Sequence, residues 1–359
     1  MDILKSGDKI YRYNKSVIIK FIGKRAVLST GVLNGGYSEN LTAIFNNDAK
    51  SGAGMGCILK APTYKEHMEI LSQELGLDPI FTSGLGTAAD MENMSIVEEE
   101  YGELSVTALV TGGIETNGGR AGDPASYIEE NQKIEKVNHG TINIIVSING
   151  KLPPRTLTRA LVTITEAKTA AIQELLEGSK YSSGLATGSG TDGVIVYSNL
   201  ESKNIYNDAG KHSKLGELLG KAVKKAVKEA LAKQSLLTPE NQKSIFRRGR
   251  RYGITLEKIW ERYLEQNSGN FDRKLEWIEE IRELEKDEEV VSLTSLYIHL
   301  LDQLEWGLLT KKTVTSHCNI IKGLILEKLG ISLGSHENIQ ELVENYIDIY
   351  VIYMQEKWR

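Results

Sequence analysis

Two glycine-rich loops, each following an apolar run typical of a strand, carry many of the residue types that could do chemistry. The longer loop lies in "TALVTGGIETNGGRAGDP" (Thr107–Pro124), and a shorter, similar loop lies in "AVLSTGVLNGG" (Ala26–Gly36). Glycine-rich turns can point backbone N–H groups at an anion or a developing oxyanion. The glycines fit neither a dinucleotide-binding fingerprint nor a Walker motif, so phosphate binding is not indicated. The loops therefore predict a polar pocket at strand ends, while tight turns needing positive φ are the alternative interpretation of each.

Polar side chains in or beside such loops define the candidate site. For Asn and Asp the alternative role is turn formation or helix capping, and for the histidines it is a structural hydrogen bond. Glu166 and Lys168 are two apart on a predicted helix, so their side chains diverge and cannot both reach one site. The candidates are Asn46, Asn47, Asp48, Thr116, Asn117, Arg120, Asp123, His139, Glu166, Lys168, Thr191, Asp192 and His212.

Composition excludes several other classes of protein. The net charge of −5, from 48 acidic and 43 basic residues, gives no general attraction to nucleic acid or to an anionic membrane. Cys57 and Cys318 lie far apart, and the sequence has no HExxH or paired CxxC motif, so a dedicated metal site and a disulfide framework are not expected. The first residues lack the apolar core of a signal peptide, and no apolar run is long enough to cross a bilayer. These features predict a soluble, cytoplasmic protein.

Apolar periodicity predicts strands alternating with helices up to about residue 235, which indicates a layered α/β fold with a mixed sheet. In the middle helix, apolar residues recur at helical spacing from Leu157 to Leu175 and should face a sheet. The predicted strands are Ser16–Ile22, Arg25–Ser29, Leu41–Phe45, Ser105–Thr111, Thr141–Ile148 and Gly193–Tyr197. The predicted helices are Thr63–Leu75, Leu157–Leu176 and Leu215–Gln234.

Composition changes near "QSLLTPENQ", which predicts a domain boundary at about residue 237. Before this stretch lie 27 of the 34 glycines, and after it lie all four tryptophans. We therefore predict an α/β domain over residues 1–237 and an all-helical domain over residues 238–359. The "RRGRR" cluster (Arg247–Arg251) could indicate nucleic-acid binding, but the acidic segment around it favours a solvated helix end.

Seven blocks in one order carry a resemblance to a known family. They are "LSTGVLNGG", "FNNDAKSG", "VTGGIETNGGRAGDP", "GTINIIVSING", "TEAKTAAIQEL", "LATGSGTDGVIVYS" and "GKHSKLGELLGKAV". Over about residues 10–232 the chain resembles the adenosylcobinamide amidohydrolase (CbiZ) family. The resemblance implies hydrolysis of the amide that joins aminopropanol to a propionate arm of the corrin ring, releasing adenosylcobyric acid. Cobalt would enter within the corrinoid, so no cofactor is expected.

This implied reaction assigns roles to the candidates as a hypothesis. Amide hydrolysis needs a nucleophile, an acid and base, and donors for the oxyanion. Asn117 or Arg120 would hold the oxyanion, His139 or His212 would transfer protons, and Asp123 or Asp192 would orient the histidine. The corrinoid would be bound by Thr30, Asn34, Asn46, Asn47, Asp48, Thr116, Glu166 and Thr191.

Other interpretations of the sequence stay open. A threonine (Thr30, Thr116 or Thr191) could be a covalent nucleophile. The chain could instead bind a corrinoid without hydrolysis, or be an N-terminal-nucleophile-type amidase acting on another amide. The expected partner is the small-molecule corrinoid, without nucleic acid or membrane, and the chain could form a homo-oligomer.

Overall fold

A computed structural model describes residues 2–50, 57–125, 141–267, 273–331 and 342–358. The chain divides into two compact units, one of residues 1–181 and 185–238 and the other of residues 182–184 and 239–359. The first unit combines mixed sheets with helices, and the second is helical. This confirms the predicted fold class of a layered α/β fold with a C-terminal helical region.

Two sheets and a short ribbon make up the strands described in the first unit. One has five strands in the order β1-β2-β3-β6-β7, the other has six in the order β5-β4-β13-β11-β9-β8, and β10 pairs with β12 in a short ribbon. Only β6 with β7 and β11 with β13 are parallel among these pairs. The strands are β1 (Asp2–Ile3), β2 (Lys9–Tyr13), β3 (Ser16–Lys20), β4 (Arg25–Ser29), β5 (Gly36–Ser38), β6 (Ala43–Asp48), β7 (Thr82–Thr87), β8 (Ser95–Tyr101), β9 (Leu104–Gly113), β10 (Gly118–Gly119), β11 (Thr141–Ile148), β12 (Gly188–Ser189) and β13 (Gly193–Asn199).

Each parallel pair is joined through a helix, as parallel strands require. Helix α1 (Tyr64–Glu74) connects β6 to β7, and α2 (Pro154–Glu174) connects β11 to β13. Helix α3 (Lys214–Ser235) follows β13. Helix α2 begins three residues before its predicted start, because Pro154 occupies the first helical position, where a proline's missing N–H costs nothing.

Side-chain alternation along the strands builds four layers. Even-numbered residues of β9 and β11, such as Val110 and Ile144, pack against α2 and α3. Leu109 and Ile145 point the other way and pack against Ile44 of the five-stranded sheet. The far face of that sheet, including Phe45, is covered by α1. The layer order is therefore α1, five-stranded sheet, six-stranded sheet, then α2 with α3.

The same pairing pattern occurs in both sheets. In each, two antiparallel pairings are followed by a parallel one across a helix: β2-β3-β6-β7 in one sheet and β8-β9-β11-β13 in the other. The sequence similarity between the two Gly-rich loops does not match this repeated pairing. Strands β4 and β9, which precede the loops, both lie in the six-stranded sheet.

The second unit is formed by helices around an apolar core. Trp277 is fully buried and lies 5.0 Å from Trp260, measured between ring centroids. The arginines of Arg247–Arg251 lie on a short helix and the turn after it. The helices are α4 (Ile245–Gly249), α5 (Leu256–Gln266), α6 (Lys274–Glu285), α7 (Glu288–Glu305), α8 (Lys311–Lys328) and α9 (Leu342–Lys357).

Candidate functional site

Both Gly-rich loops leave the same edge of the six-stranded sheet. Strands β4 and β9 both run antiparallel to the β11–β13 pair, so they point in one direction. At this edge Thr111 near the end of β9 is level with Asn143 on β11, which in turn is level with Gly193 on β13. The end of β4 and the starts of β11 and β13 therefore lie at the edge where β9 ends.

The first loop is bound to the neighbouring sheet. The Asn34 side-chain amide donates to the carbonyls of Pro79 (2.6 Å), Thr82 (2.8 Å) and Ile80 (3.2 Å). Asn34 has φ 47°, a left-handed conformation that asparagine tolerates better than most residues. A side chain on Gly31 would collide with a β7 carbonyl, so glycine at this position allows the loop to lie close to that strand. Thr30, just before the loop, exchanges hydrogen bonds with the Val194 backbone.

The second loop borders a cavity of about 530 Å³. The walls come from residues 117–125, from residues 187–190 and from Lys168 and Tyr181. Gly118 and Gly119 pair with Ser189 and Gly188, so main chain from two separate strand ends forms the β10–β12 ribbon at this cavity. Asn117 is buried beside it, at 1% exposure.

Arg120 and Asp123 form one turn at the cavity. The Asp123 carboxylate accepts the backbone N–H of Arg120 (2.7 Å) and the Ser179 hydroxyl (2.6 Å). The Arg120 guanidinium reaches the Leu185 carbonyl at 3.4 Å, a long contact that leaves donors for a ligand. Asp123 therefore fixes the turn that presents Arg120, and no described histidine contacts it.

Lys168 and Asp192 form a nearly buried ion pair at the same cavity. Lys168 is only 8% exposed, although lysine is among the residues least often buried. Asp192 also accepts the Ile142 N–H (3.0 Å) and the Ser189 hydroxyl (2.6 Å). In the described structure Asp192 thus orients a lysine, whereas the sequence suggested that it would orient a histidine.

Asn46, Asn47 and Asp48 lie in β6, which extends three residues beyond the predicted strand. Asn46 donates to the Thr111 hydroxyl (2.9 Å) and accepts from the Asn143 amide (2.8 Å), which joins the two sheets below the edge. The Asn47 amide donates to the Ser16 hydroxyl, and Asp48 accepts the Lys50 N–H. The structure therefore places these three residues in inter-strand and turn contacts.

Glu166 points away from the cavity, on the opposite side of α2 from Lys168. It pairs with Lys211 at 2.9 Å, and the hydrogen bond from Lys211 lowers the pKa of Glu166. Both residues border an open groove of about 950 Å³ between α2 and α3. This groove is larger than the cavity, but its charged groups pair with one another along the rim. Thr116 and Thr191 are exposed loop residues.

The structure corrects the expectation that His212 approaches the two loops. His212 is exposed and precedes α3, whose 22 residues span about 33 Å. The far end of α3 reaches the edge of the sheet where β9 ends, and there the Gln234 side chain lies against Gly113. At the starting end, Lys214 lies over the Tyr101 ring at the opposite edge of the sheet. His139 lies outside the described residues.

Lys168 is a sequence-based candidate without a predicted role, although its position in the sequence indicates one. Lys168 follows Ile164 by four residues and precedes Ile172 by four, so it lies on the buried stripe of α2. A lysine on such a stripe must find a partner or a cavity. Ser189 was not selected, and it donates to Asp192 through both its N–H and its hydroxyl.

No helix in the part of the chain that the structure describes is long and apolar enough to cross a membrane. No group of three or more His, Cys, Asp or Glu side chains is arranged to hold a metal ion within those ranges.

Comparison with known proteins gives one family. The model of the adenosylcobinamide amidohydrolase family matches residues 1–239. An uncharacterized protein of Methanocaldococcus jannaschii is 36% identical over 238 residues, which cover 63% of this chain and 89% of the relative. The adenosylcobinamide amidohydrolase of Methanosarcina mazei is 29% identical over 228 residues, covering 61% and 94%. A solved structure, that of the PH0078 protein from Pyrococcus horikoshii, matches 66% of this chain and 81% of its own chain. The two proteins are 12% identical, with a TM-score of 0.28.

Proposed function

Because the chain belongs to the adenosylcobinamide amidohydrolase family, we propose that it hydrolyses the aminopropanol amide of adenosylcobinamide and releases adenosylcobyric acid. The observation that carries the proposal is the convergence of Arg120 with glycine-rich main chain from two separate strand ends at one cavity. Such a cavity can promote hydrolysis of an amide, since hydrogen-bond donors fixed in advance stabilise the charge that develops on the carbonyl oxygen.

The cavity binds the amide-bearing arm, and the corrin ring stays at its mouth. A volume of about 530 Å³ lies within the usual range for small-molecule sites. It suits a propionate arm with its aminopropanol better than a whole corrinoid. Asn117 and Arg120 bind the amide oxygens, and Asp123 acts by holding the Arg120 turn in place.

Water is the simplest nucleophile for this site. It adds to the amide carbon, and the proton that it loses ends on the departing amine. His139 remains the sequence-based prediction for the base, and a threonine nucleophile remains the alternative. Cobalt enters as part of the substrate, so the proposal requires no metal held by the protein.

The direct test incubates the purified full-length chain with adenosylcobinamide. Chromatography then resolves the corrinoid product, and free aminopropanol is measured in the same samples. We expect equal amounts of adenosylcobyric acid and aminopropanol. Binding of adenosylcobinamide with neither product formed would overturn the proposal and favour a corrinoid-binding protein.

A further inference from the structure

We propose that the Lys168 ammonium, held by Asp192, donates to the carbonyl oxygen of the bound amide and stabilises the oxyanion during hydrolysis. The inference rests on the proposed function and adds a catalytic residue to it. It also assigns the cavity a subsite for oxygen-bearing ligands such as amides and carboxylates.

Lys168 is built into the cavity wall. It lies on the buried face of α2, and its side chain reaches residues 188–192 of the loop that leads into β13. Most of the lysines that the structure describes in this unit extend into solvent, whereas Lys168 is 8% exposed. Removing a cation from water is costly, so a buried ammonium needs compensation from acceptors around it.

Asp192 supplies part of that compensation and is itself saturated with donors. One carboxylate oxygen accepts the Ile142 N–H (3.0 Å) and the Ser189 hydroxyl (2.6 Å). The other accepts the Ser189 N–H (3.1 Å) and Lys168. A carboxylate with four donors is held in a fixed position, so it fixes the ammonium in turn.

The ammonium retains donor capacity. It carries three N–H groups, and among the described residues Asp192 is the side chain that accepts from it. Buried donors in folded proteins are almost always satisfied. Because Lys168 borders the cavity, an oxygen of a ligand in that cavity can accept the remaining hydrogens.

Gly188 keeps the space for this arrangement. A Cβ atom on Gly188 would collide with both the Lys168 ammonium and the Asp192 carboxylate. Both obstacles are ends of side chains, which can move, and no backbone atom obstructs the Cβ. Substitution of Gly188 by alanine should therefore displace the ion pair while the fold is retained.

Lys168 acts in the reaction as a hydrogen-bond donor. When water adds to the amide carbon, a C–O bond forms and the carbonyl π electrons move to the oxygen, where Lys168 and Arg120 donate hydrogen bonds. When the carbonyl re-forms, the C–N bond breaks, and the amine leaves with the proton that water lost. The carboxylic acid that forms gives its remaining proton to the free amine, and Lys168 then faces the new carboxylate of the product.

The test compares two lysines that each pair with an acid. Lys168→Ala removes the buried ammonium at the cavity, and Lys211→Ala removes the exposed partner of Glu166 at the open groove. Turnover and melting temperature are measured for both variants. We expect Lys168→Ala to fold and to lose about 100-fold or more in kcat, the usual cost of one oxyanion donor, and Lys211→Ala to match the wild type.

Rescue separates a catalytic role from a structural one. n-Propylammonium matches the atoms that Lys168→Ala removes, so adding it should restore part of the kcat, which a merely structural ion pair would not show. A folded Lys168→Ala variant with kcat within about threefold of wild type would overturn the inference, since a lost oxyanion donor costs far more. If Lys168→Ala does not fold, Gly188→Ala decides: a folded variant at full activity overturns the inference, and one at least tenfold slower supports it.

A binding measurement distinguishes this inference from the proposed function. If the wild type releases no aminopropanol, hydrolysis is refuted, and the subsite is tested with propionate as the probe. Titration calorimetry should then show propionate binding to the wild type and to Lys211→Ala but not to Lys168→Ala. Equal binding by all three proteins, or by none, would overturn the assignment of Lys168.

Discussion

Two Gly-rich loops of partly similar sequence leave the same edge of one sheet, yet they have different contacts. In the loop after β4, Asn34 donates to three carbonyls at the start of β7 and in the turn just before it. In the loop after β9, the Arg120 side chain makes one long contact and borders a cavity. The first loop joins the two sheets, and the second provides the wall of the candidate site.

The difference arises from what lies beside each loop. Strand β7 runs next to the first loop, where Leu33 bridges to Gly84 and Ser83 donates to the Leu33 carbonyl at 2.8 Å. Beside the second loop lies β12, which pairs with it over only two residues. A Gly-rich loop supplies donors in either case, and the neighbouring chain decides whether those donors are available to a ligand.

Among the variants that compare the two loops, the largest expected effect comes from Arg120→Ala. In the proposed site its guanidinium binds the amide oxygen, so we expect a loss of about 100-fold in kcat/KM with an unchanged melting temperature. Arg155→Ala is the matched control, because Arg155 also contacts a single carbonyl, that of Asn207, away from the cavity. Equal turnover by the two variants would contradict the role given to the second loop.

Asn34→Ala should show the opposite result. Loss of three hydrogen bonds and of a residue that tolerates φ 47° should lower the free energy of unfolding by about 2 kcal/mol. Turnover per folded molecule should not change. Asn34→Gly keeps the backbone conformation and removes only the donors. Urea unfolding of both variants therefore separates the loss of hydrogen bonds from the strain of a left-handed backbone. A stable Asn34→Ala variant without activity would place the substrate at the first loop.

Acid should weaken the support behind the first loop. His67 on α1 is buried, its Nδ1 accepts the Lys60 N–H, and burial lowers its pKa. The folded state therefore takes up the proton less readily than the unfolded chain. Stability is complete above the unfolded pKa of about 6.5 and falls as the pH decreases through it. Urea midpoints between about pH 7.5 and pH 5 should fall less in His67→Asn; equal slopes would exclude this histidine.

The smallest expected effect is that of His212→Ala. Because His212 is exposed at the far end of α3, we expect wild-type turnover and stability. The comparison is sharpened by His139→Ala, which the sequence-based assignment of a base predicts to be inactive. Loss of activity in His212→Ala, with activity retained in His139→Ala, would contradict the placement of the active site at the edge of the sheet where β9 ends.

Much of the α/β unit could be predicted because periodicity and glycine positions determine it locally. The predicted strands Arg25–Ser29 and Thr141–Ile148 have the bounds seen in the structure. The sequence does not predict β7, "TSGLGT", because its two glycines weaken any strand signal. Tertiary packing explains the glycine at position 84, since a side chain there would collide with the Phe45 ring.

The site was harder to predict, because side-chain direction depends on tertiary packing. Glu166 and Lys168 were correctly expected to diverge, but which of them reaches the cavity follows from the buried stripe of α2. Asn46 was read as a loop residue, since polar letters usually end a strand. The strand continues because Thr111 and Asn143 of the opposite sheet satisfy the Asn46 amide.

The most direct measurement of the central difference is hydrogen exchange of the full chain with saturating adenosylcobyric acid. The proposed site predicts slower exchange in residues 114–124 and 186–192, with no change in residues 30–36. Slower exchange confined to residues 30–36 would contradict it, because the first loop would then hold the ligand.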